Sequence, residues 1–232
     1  MAHPAANPST DRLGRREHPR PRHDAFAGRE LDHRLANSLQ LATDFLLFEQ
    51  MRITDPKARA TLAEVAARLS AVGQMHRFLS AQGETAAVAF EPFLEHLGGF
   101  IAGSTGLSCT VDSDTLTVKG EIAQQVAIVI NELAINAAKH AYGRGRSGAF
   151  HIVARDRGDR LRLTISDEGS GLGPAFEPGR NPGLGMSIVQ AIVRQLNATL
   201  DTADDHGAVF TLTVPLPAKG MSRSFAPRAW DL

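Results

Sequence analysis

Hydrophobic and polar positions along the chain change period several times, and each change predicts an element. From about residue 24 to 50 the apolar residues recur at helical spacing. Stepping by about 100° per residue puts Leu31, Leu35, Leu39, Ala42 and Phe45 in one broad sector. Glu30, His33, Asn37, Gln40 and Asp44 fall within about 80° on the opposite side. His33 is thus expected to face outward, among polar neighbours, on a helix whose other face is buried. Arg52-Ile-Thr-Asp-Pro-Lys57 breaks the pattern, and Asp55-Pro56 reads as an N-cap with proline in the first turn of a second helix. That helix runs to about Ala81 on Leu62, Val65, Leu69, Val72, Met75 or His76, and Leu79. Two such helices with a short turn make an antiparallel hairpin. Alone it would leave an apolar stripe exposed, which pairing with a second copy into a four-helix bundle would cover.

After a linker at Gln82–Thr85 the pattern changes again. Phe90 to Thr105 is helical, Leu107 to Val118 alternates as one or two short strands, and Gly120 to Tyr142 is helical, with Ile122, Val126, Ile130, Leu133 and Ala137 inward. Phe150–Ala154 and Leu161–Ser166 alternate around a turn at Arg157–Asp159. Met186–Ala198 is a helix, and Leu200–Thr202 with Ala208–Val214 form a last hairpin. Strand neighbours joined mostly by hairpins predict an α+β sandwich with helices on one face of a largely antiparallel sheet. The expected division is a flexible basic arm (1–24), a helical hairpin (25–82), the sandwich (86–217) and a loose tail (218–232). The arm is too short to fold as a sensory domain.

Composition narrows the function. The chain has 232 residues, with 25 Lys+Arg against 25 Asp+Glu, so no global basic field draws it to nucleic acid. Its single cysteine, Cys109, excludes an intramolecular disulfide and a cysteine-based metal cluster. No apolar run reaches the length of a membrane span, and the N-terminus lacks a signal core, so a cytoplasmic location is expected.

Three segments look chosen for chemistry. In Asn131-Glu-Leu-Ala-Ile-Asn-Ala-Ala-Lys-His140, residues Glu132, Asn136, Lys139 and His140 share one helical face. Carboxamide oxygen can ligate Mg²⁺, lysine can meet phosphate, and a carboxylate can orient water or accept a proton. Asp167-Glu-Gly-Ser-Gly-Leu-Gly173 follows a strand. Its glycines, Gly169, Gly171 and Gly173, suit a tight turn or close approach to a ligand, and its aspartate can accept from an exocyclic amine. Gly183-Leu184-Gly185 opens a helix and so offers backbone N–H groups to an anion. The Pro- and Gly-rich stretch 174–182 between the last two would serve as a lid. No Walker-type phosphate loop occurs.

In this order the three segments resemble the N, G1 and G2 boxes of the GHKL ATPase superfamily, which holds histidine kinases, type II topoisomerases, Hsp90 chaperones and MutL. The resemblance covers about residues 86–217. It implies ATP as ligand, Asn136 as Mg²⁺ ligand and Asp167 as the adenine-reading residue. It also implies Glu132 as the N-box acid, Lys139 and His140 near the phosphates, and the five glycines with Leu184 shaping the loops. The stretch Glu30-Leu-Asp-His-Arg-Leu-Ala-Asn-Ser-Leu-Gln40 is similar to the phosphoacceptor helix of HisKA_2 histidine kinases, with a motif like H-R-x-x-N-x-L-Q. The chain departs from that pattern at Ala36 and lacks a clear F box. Its N box opens with Asn131 and its one tryptophan, Trp230, lies in the tail, which separates it from the related HWE group.

The resemblance implies a dimeric sensor histidine kinase. It would autophosphorylate on His33 and pass the phosphoryl group to a response-regulator receiver domain, with a possible separate upstream sensor protein. Glu30 and Asp32 are alternative proton acceptors, and Asn37 a candidate to orient the ring. Two other readings are a phosphotransfer scaffold with a vestigial ATP domain and a serine/threonine kinase of the anti-sigma type.

Overall fold

The computed structural model describes residues 23–80, 87–142, 147–173 and 183–217, with the backbone alone for 23–33. Most of the expected arm, the linker 82–85, the lid 174–182 and the tail lie outside the described residues. Helix α1 spans His23–Arg52 and α2 spans Pro56–Ser80. The break between them is built as expected. Asp55 accepts from the backbone N–H groups of Lys57 and Ala58, both at 3.2 Å, and Pro56 opens α2 where no N–H is needed.

The two helices lie close: a Cβ placed on Gly73 would sit 3.4 Å from Leu39 Cβ. The seam differs from the one the periodicity predicts. Ala36 and Thr43 are buried, with Leu39 and Leu46 half-buried beside them, while Leu35, Ala42 and Phe45 are exposed. Small residues let α2 approach closely, so α1 turns its smaller side chains to α2. Its larger ones, Leu35, Leu41, Phe45 and Phe48, then share a sector of about 140° that α2 leaves uncovered.

The remainder is two-layered. A five-stranded sheet runs in the order β2-β4-β5-β7-β6, from β2 Ser108–Ser113, β4 Ala149–Asp156, β5 Arg160–Asp167, β6 Thr199–Asp204 and β7 Ala208–Pro215. Three of its four pairings are antiparallel, whereas β2 runs parallel to β4, with Cys109 opposite Phe150. A separate ribbon pairs β1 Ala87–Ala89 with β3 Thr117–Lys119. The alternation around Leu107–Val118 therefore serves two sheets. Strand β1 has only Val88 pointing inward, too short for a periodic signal.

Helices α3 Phe90–Thr105, α4 Gly120–His140 and α5 Leu184–Gln195 complete the layer. Phe90, Phe93, Leu94, Leu97 and Ile101 of α3 and Val126, Val129 and Ile130 of α4 are wholly buried with Ile152, Leu163, Ile165 and Leu212 of the sheet. Each such side chain contributes about 1.5–3 kcal/mol of transfer free energy, so this core fixes α4 firmly against the strands. The elements that carry chemistry emerge at one end of that core. They are the second half of α4, the end of β5 and the start of α5.

Candidate nucleotide site

A cleft of about 500 Å³ opens where these elements meet. Asn136, Lys139 and His140 line it from α4, Asp167, Gly171 and Gly173 from the end of β5, and Gly183, Leu184 and Gly185 from the start of α5. Its volume falls within the usual range of small-ligand sites. Nearly all the residues singled out in the second half of the chain therefore converge.

Asp167 is the best-defined member. It is 7 % exposed, and its Oδ1 accepts from the backbone N–H groups of Gly169 at 2.9 Å and Ala208 at 3.2 Å. Both bonds fall on one oxygen and fix the carboxylate plane, so Oδ2 remains to accept from a ligand's donor. Gly169 is required by close approach. A Cβ there would come within 2.6 Å of the Ala141 carbonyl oxygen, so the loop after β5 is pressed onto the end of α4. Ser170 secures the same contact, donating its backbone N–H to Ala141 O at 3.0 Å and its hydroxyl to His140 O at 3.3 Å.

Tyr142, the chain's one tyrosine, adds a second fastening. Its hydroxyl accepts from the Glu168 backbone N–H at 2.7 Å and donates to the Ala149 carbonyl. Burial, with the charges of Asp167 and Glu168 nearby, keeps this phenol above its ordinary pKa, so it stays protonated and able to donate.

Helix α5 begins without a side-chain cap, at Gly183. The first N–H groups of a helix lack intrahelical partners and suit an anion. Asn136 is half-buried and His140 exposed, and both line the cleft.

Glu132 is placed differently from its three companions. It is 1 % exposed and lies beneath Gly185, where a Cβ would approach its Oε2 to 2.5 Å. Its partner is Arg68 of α2, whose Nε lies 2.9 and 2.8 Å from the two carboxylate oxygens. Arg68 also faces Glu64 at 3.6 Å, and Glu64 meets Lys139 at 2.6 Å. The hairpin thus adds two residues to the cleft, Glu64 and Arg68, that no motif marked. In sequence they are an ordinary i,i+4 Glu–Arg pair, the usual mark of a solvated helix face. On the other side of the Arg68–Glu132 pair lies a smaller apolar cavity of about 310 Å³ between α2, α4 and α5, lined by Val65, Leu69, Val72, Ile128, Leu184 and Ile188.

The four candidates of the first helix are separate from this cluster in sequence and element. Glu30, Asp32 and His33 lie on the part of α1 described as backbone only, and Asn37 is exposed one turn further on.

A buried aspartate held by two amides, a carboxamide and a lysine on one helix, and a glycine-opened helix define a nucleotide-binding domain of the GHKL kind. Residues 121–218 match the family described as "Histidine kinase-, DNA gyrase B-, and HSP90-like ATPase", and residues 30–104 match HisKA_2, "Histidine kinase". The chain belongs to the histidine kinases, with a HisKA_2 region followed by a HATPase_c domain. It is 25% identical over 199 residues to the sensor histidine kinase PdtaS of Mycobacterium tuberculosis, covering 83% of this chain and 40% of that one. It is also 25% identical over 199 residues to the blue-light-activated histidine kinase 2 of Erythrobacter litoralis, covering 81% of this chain and 56% of that one. The chain thus spans between two fifths and three fifths of the length of these relatives. The solved histidine kinase domain of the Erythrobacter litoralis blue-light kinase EL346 superposes with a TM-score of 0.60 at 24% identity, over 76% of this chain and 96% of that one. The expected hairpin-plus-sandwich architecture is therefore correct, with the parallel β2–β4 pair as its main refinement.

Proposed function

We propose that this chain binds Mg²⁺–ATP in the cleft and transfers the γ-phosphoryl group to a ring nitrogen of His33. The observation that carries the reading is the convergence of Asp167, Asn136, Lys139 and the α5 N-terminus in one cleft on the chain whose first helix bears His33. Asp167 Oδ2 would accept from the adenine amine, Lys139 would meet phosphate oxygens, and the first turn of α5 would cap them. Asn136 suits a Mg²⁺ that keeps most of its ligands from phosphate and water, since one carboxamide reaches the cleft. Bound there, the ion would offset the charge on the phosphate chain.

A neutral imidazole nitrogen attacks the γ-phosphorus, the N–P bond forms and the bond to the ADP oxygen breaks. The proton on the ring's other nitrogen passes to a carboxylate, Glu30 or Asp32, with Asn37 orienting the ring. Alignment and charge neutralisation supply most of the acceleration. The phosphoryl group then moves to an aspartate of a response-regulator receiver domain, and an upstream sensor protein would set the rate.

The exposed sector of α1, with Leu35, Leu41, Phe45 and Phe48, supports a homodimer through the hairpin. Among the described residues no helix is long and apolar enough to cross a membrane, and ATP chemistry fits a cytoplasmic setting.

Incubation with γ-labelled ATP and Mg²⁺ tests the assignment. The expected product is an acid-labile, base-stable phosphoprotein, absent in His33→Ala and Asn136→Ala. Label that persists in His33→Ala removes His33, and stable label on serine or threonine favours the anti-sigma type of kinase. Loss of all Mg²⁺-dependent ATP binding favours a phosphotransfer scaffold with a vestigial ATP domain, and measurable binding excludes it.

A further inference from the structure

Lys139 is the cation that α4 offers to a phosphate chain, and it is already engaged. Its Nζ lies 2.6 Å from Glu64 Oε1, and Glu64 Oε2 lies 3.6 Å from Arg68 Nη1. Glu64 therefore sits between two cations, as a phosphate oxygen pair would. It comes from the hairpin rather than from the sandwich, yet it lines the same cleft as Asn136 and Asp167. Carboxylate and phosphate oxygens make the same kind of charge-assisted contact with an ammonium group.

The two ion pairs that join α2 to α4 differ in a telling way. Arg68–Glu132 is sealed, with side chains 12 and 2 % exposed, and is costly to separate. Lys139–Glu64 is open to solvent, with side chains 32 and 37 % exposed, so water and salt can replace either partner at little cost. The first pair is built to hold and the second to exchange.

We propose that Glu64 is an internal competitor of the nucleotide's phosphates, holding Lys139 from the hairpin side and releasing it when a phosphate chain arrives. The inference rests on the ATP-site reading above and adds a residue to it. It makes hairpin docking at this contact and nucleotide affinity oppose each other. By linkage, whatever draws α2 away from α4 here tightens nucleotide binding, and bound nucleotide loosens the contact.

Calorimetric titration of the full chain with Mg²⁺–ATP and with adenosine tests it, on the wild type, Glu64→Gln, Lys139→Gln and the double variant. Glu64→Gln is expected to bind ATP about three- to fivefold tighter, the scale of an exposed ion pair, with adenosine unchanged. In the Lys139→Gln background the same substitution should give no comparable gain. Unchanged or weaker ATP binding by folded Glu64→Gln overturns the proposal. So does an equal gain for adenosine, which would mean general opening of the cleft. An equal gain without Lys139 also overturns it, since that would be simple charge repulsion. If neither wild type nor Glu64→Gln binds ATP, the nucleotide reading itself falls, and the competitor with it. If wild type binds and the variant gains nothing, only the competitor falls.

Discussion

Arg68 of α2 and Glu132 of α4 form a buried ion pair across the joint between hairpin and sandwich, Nε to Oε2 at 2.8 Å. A carboxylate this deep has given up its hydration and depends on its partner. Removing Arg68 alone leaves that charge stranded. Arg68→Ala is expected to lose about 3 kcal/mol of stability, read as a lower urea midpoint. Replacing both residues with methionine should recover most of the loss, because the cost lies in the unpaired charge. A recovery no better than the single variant would show that packing, not charge, dominates.

Gly185 seats that pair. With a Cβ 2.5 Å from Glu132 Oε2 and 3.3 Å from Arg68 Nη2, Gly185→Ala must push the pair or shift the start of α5. The expected result is a stability loss of about 1–3 kcal/mol together with weaker ATP binding. Denaturation and calorimetric titration on the same preparation check both. Unaltered stability would mean that the pair yields freely.

Asp167→Asn separates reading from folding. An asparagine Oδ1 can keep both backbone donors, from Gly169 and Ala208, so the fold should persist. The second position becomes an amide, a donor facing the amine it should accept from. ATP affinity is expected to fall about tenfold to a hundredfold, the scale of a hydrogen bond to a charged group. Unchanged affinity would take Asp167 out of the site.

Burial pushes the Cys109 thiol up to about 11 from its ordinary 9.0. A thiol raised in the fold holds its proton longer than in the unfolded chain. Its contribution is therefore complete below about pH 9 and is lost as pH rises towards 11. At pH 8 the thiolate fraction is about a hundredfold lower than in the unfolded chain, so alkylation should be slower by at least about that factor. Mass spectrometry with and without denaturant reads the difference. Equal rates would place the thiol at the surface.

The helices and hairpins of the sandwich were legible because each carries a full period of burial. Helix α4 buries Val126, Ile130, Leu133 and Ala137 at helical spacing, β4 alternates as far as Ala154, and β5 alternates along its length. The residues that line the cleft were legible because they are locally unusual, glycines near Asp167 and polar groups on an otherwise buried helix. Three things were not. The parallel β2–β4 pair depends on a return through α4 that no local pattern encodes. The seam of α1 depends on the size of Ala36 and Thr43 rather than on their hydrophobicity. The parts played by Glu64 and Arg68 arise only when α2 docks on α4, bringing together residues 64 positions apart in the Arg68–Glu132 bond.

The phenol bridge of Tyr142 has a practical side. Because the chain has one tyrosine and one tryptophan, a Trp230→Phe variant excited at wavelengths too long for phenylalanine would emit from one residue. That emitter sits where the end of α4 meets the loop carrying Asp167, with its hydroxyl bonded to Glu168 N–H. Its ultraviolet absorbance and fluorescence would then report the state of the cleft directly, in a protein carrying no added dye.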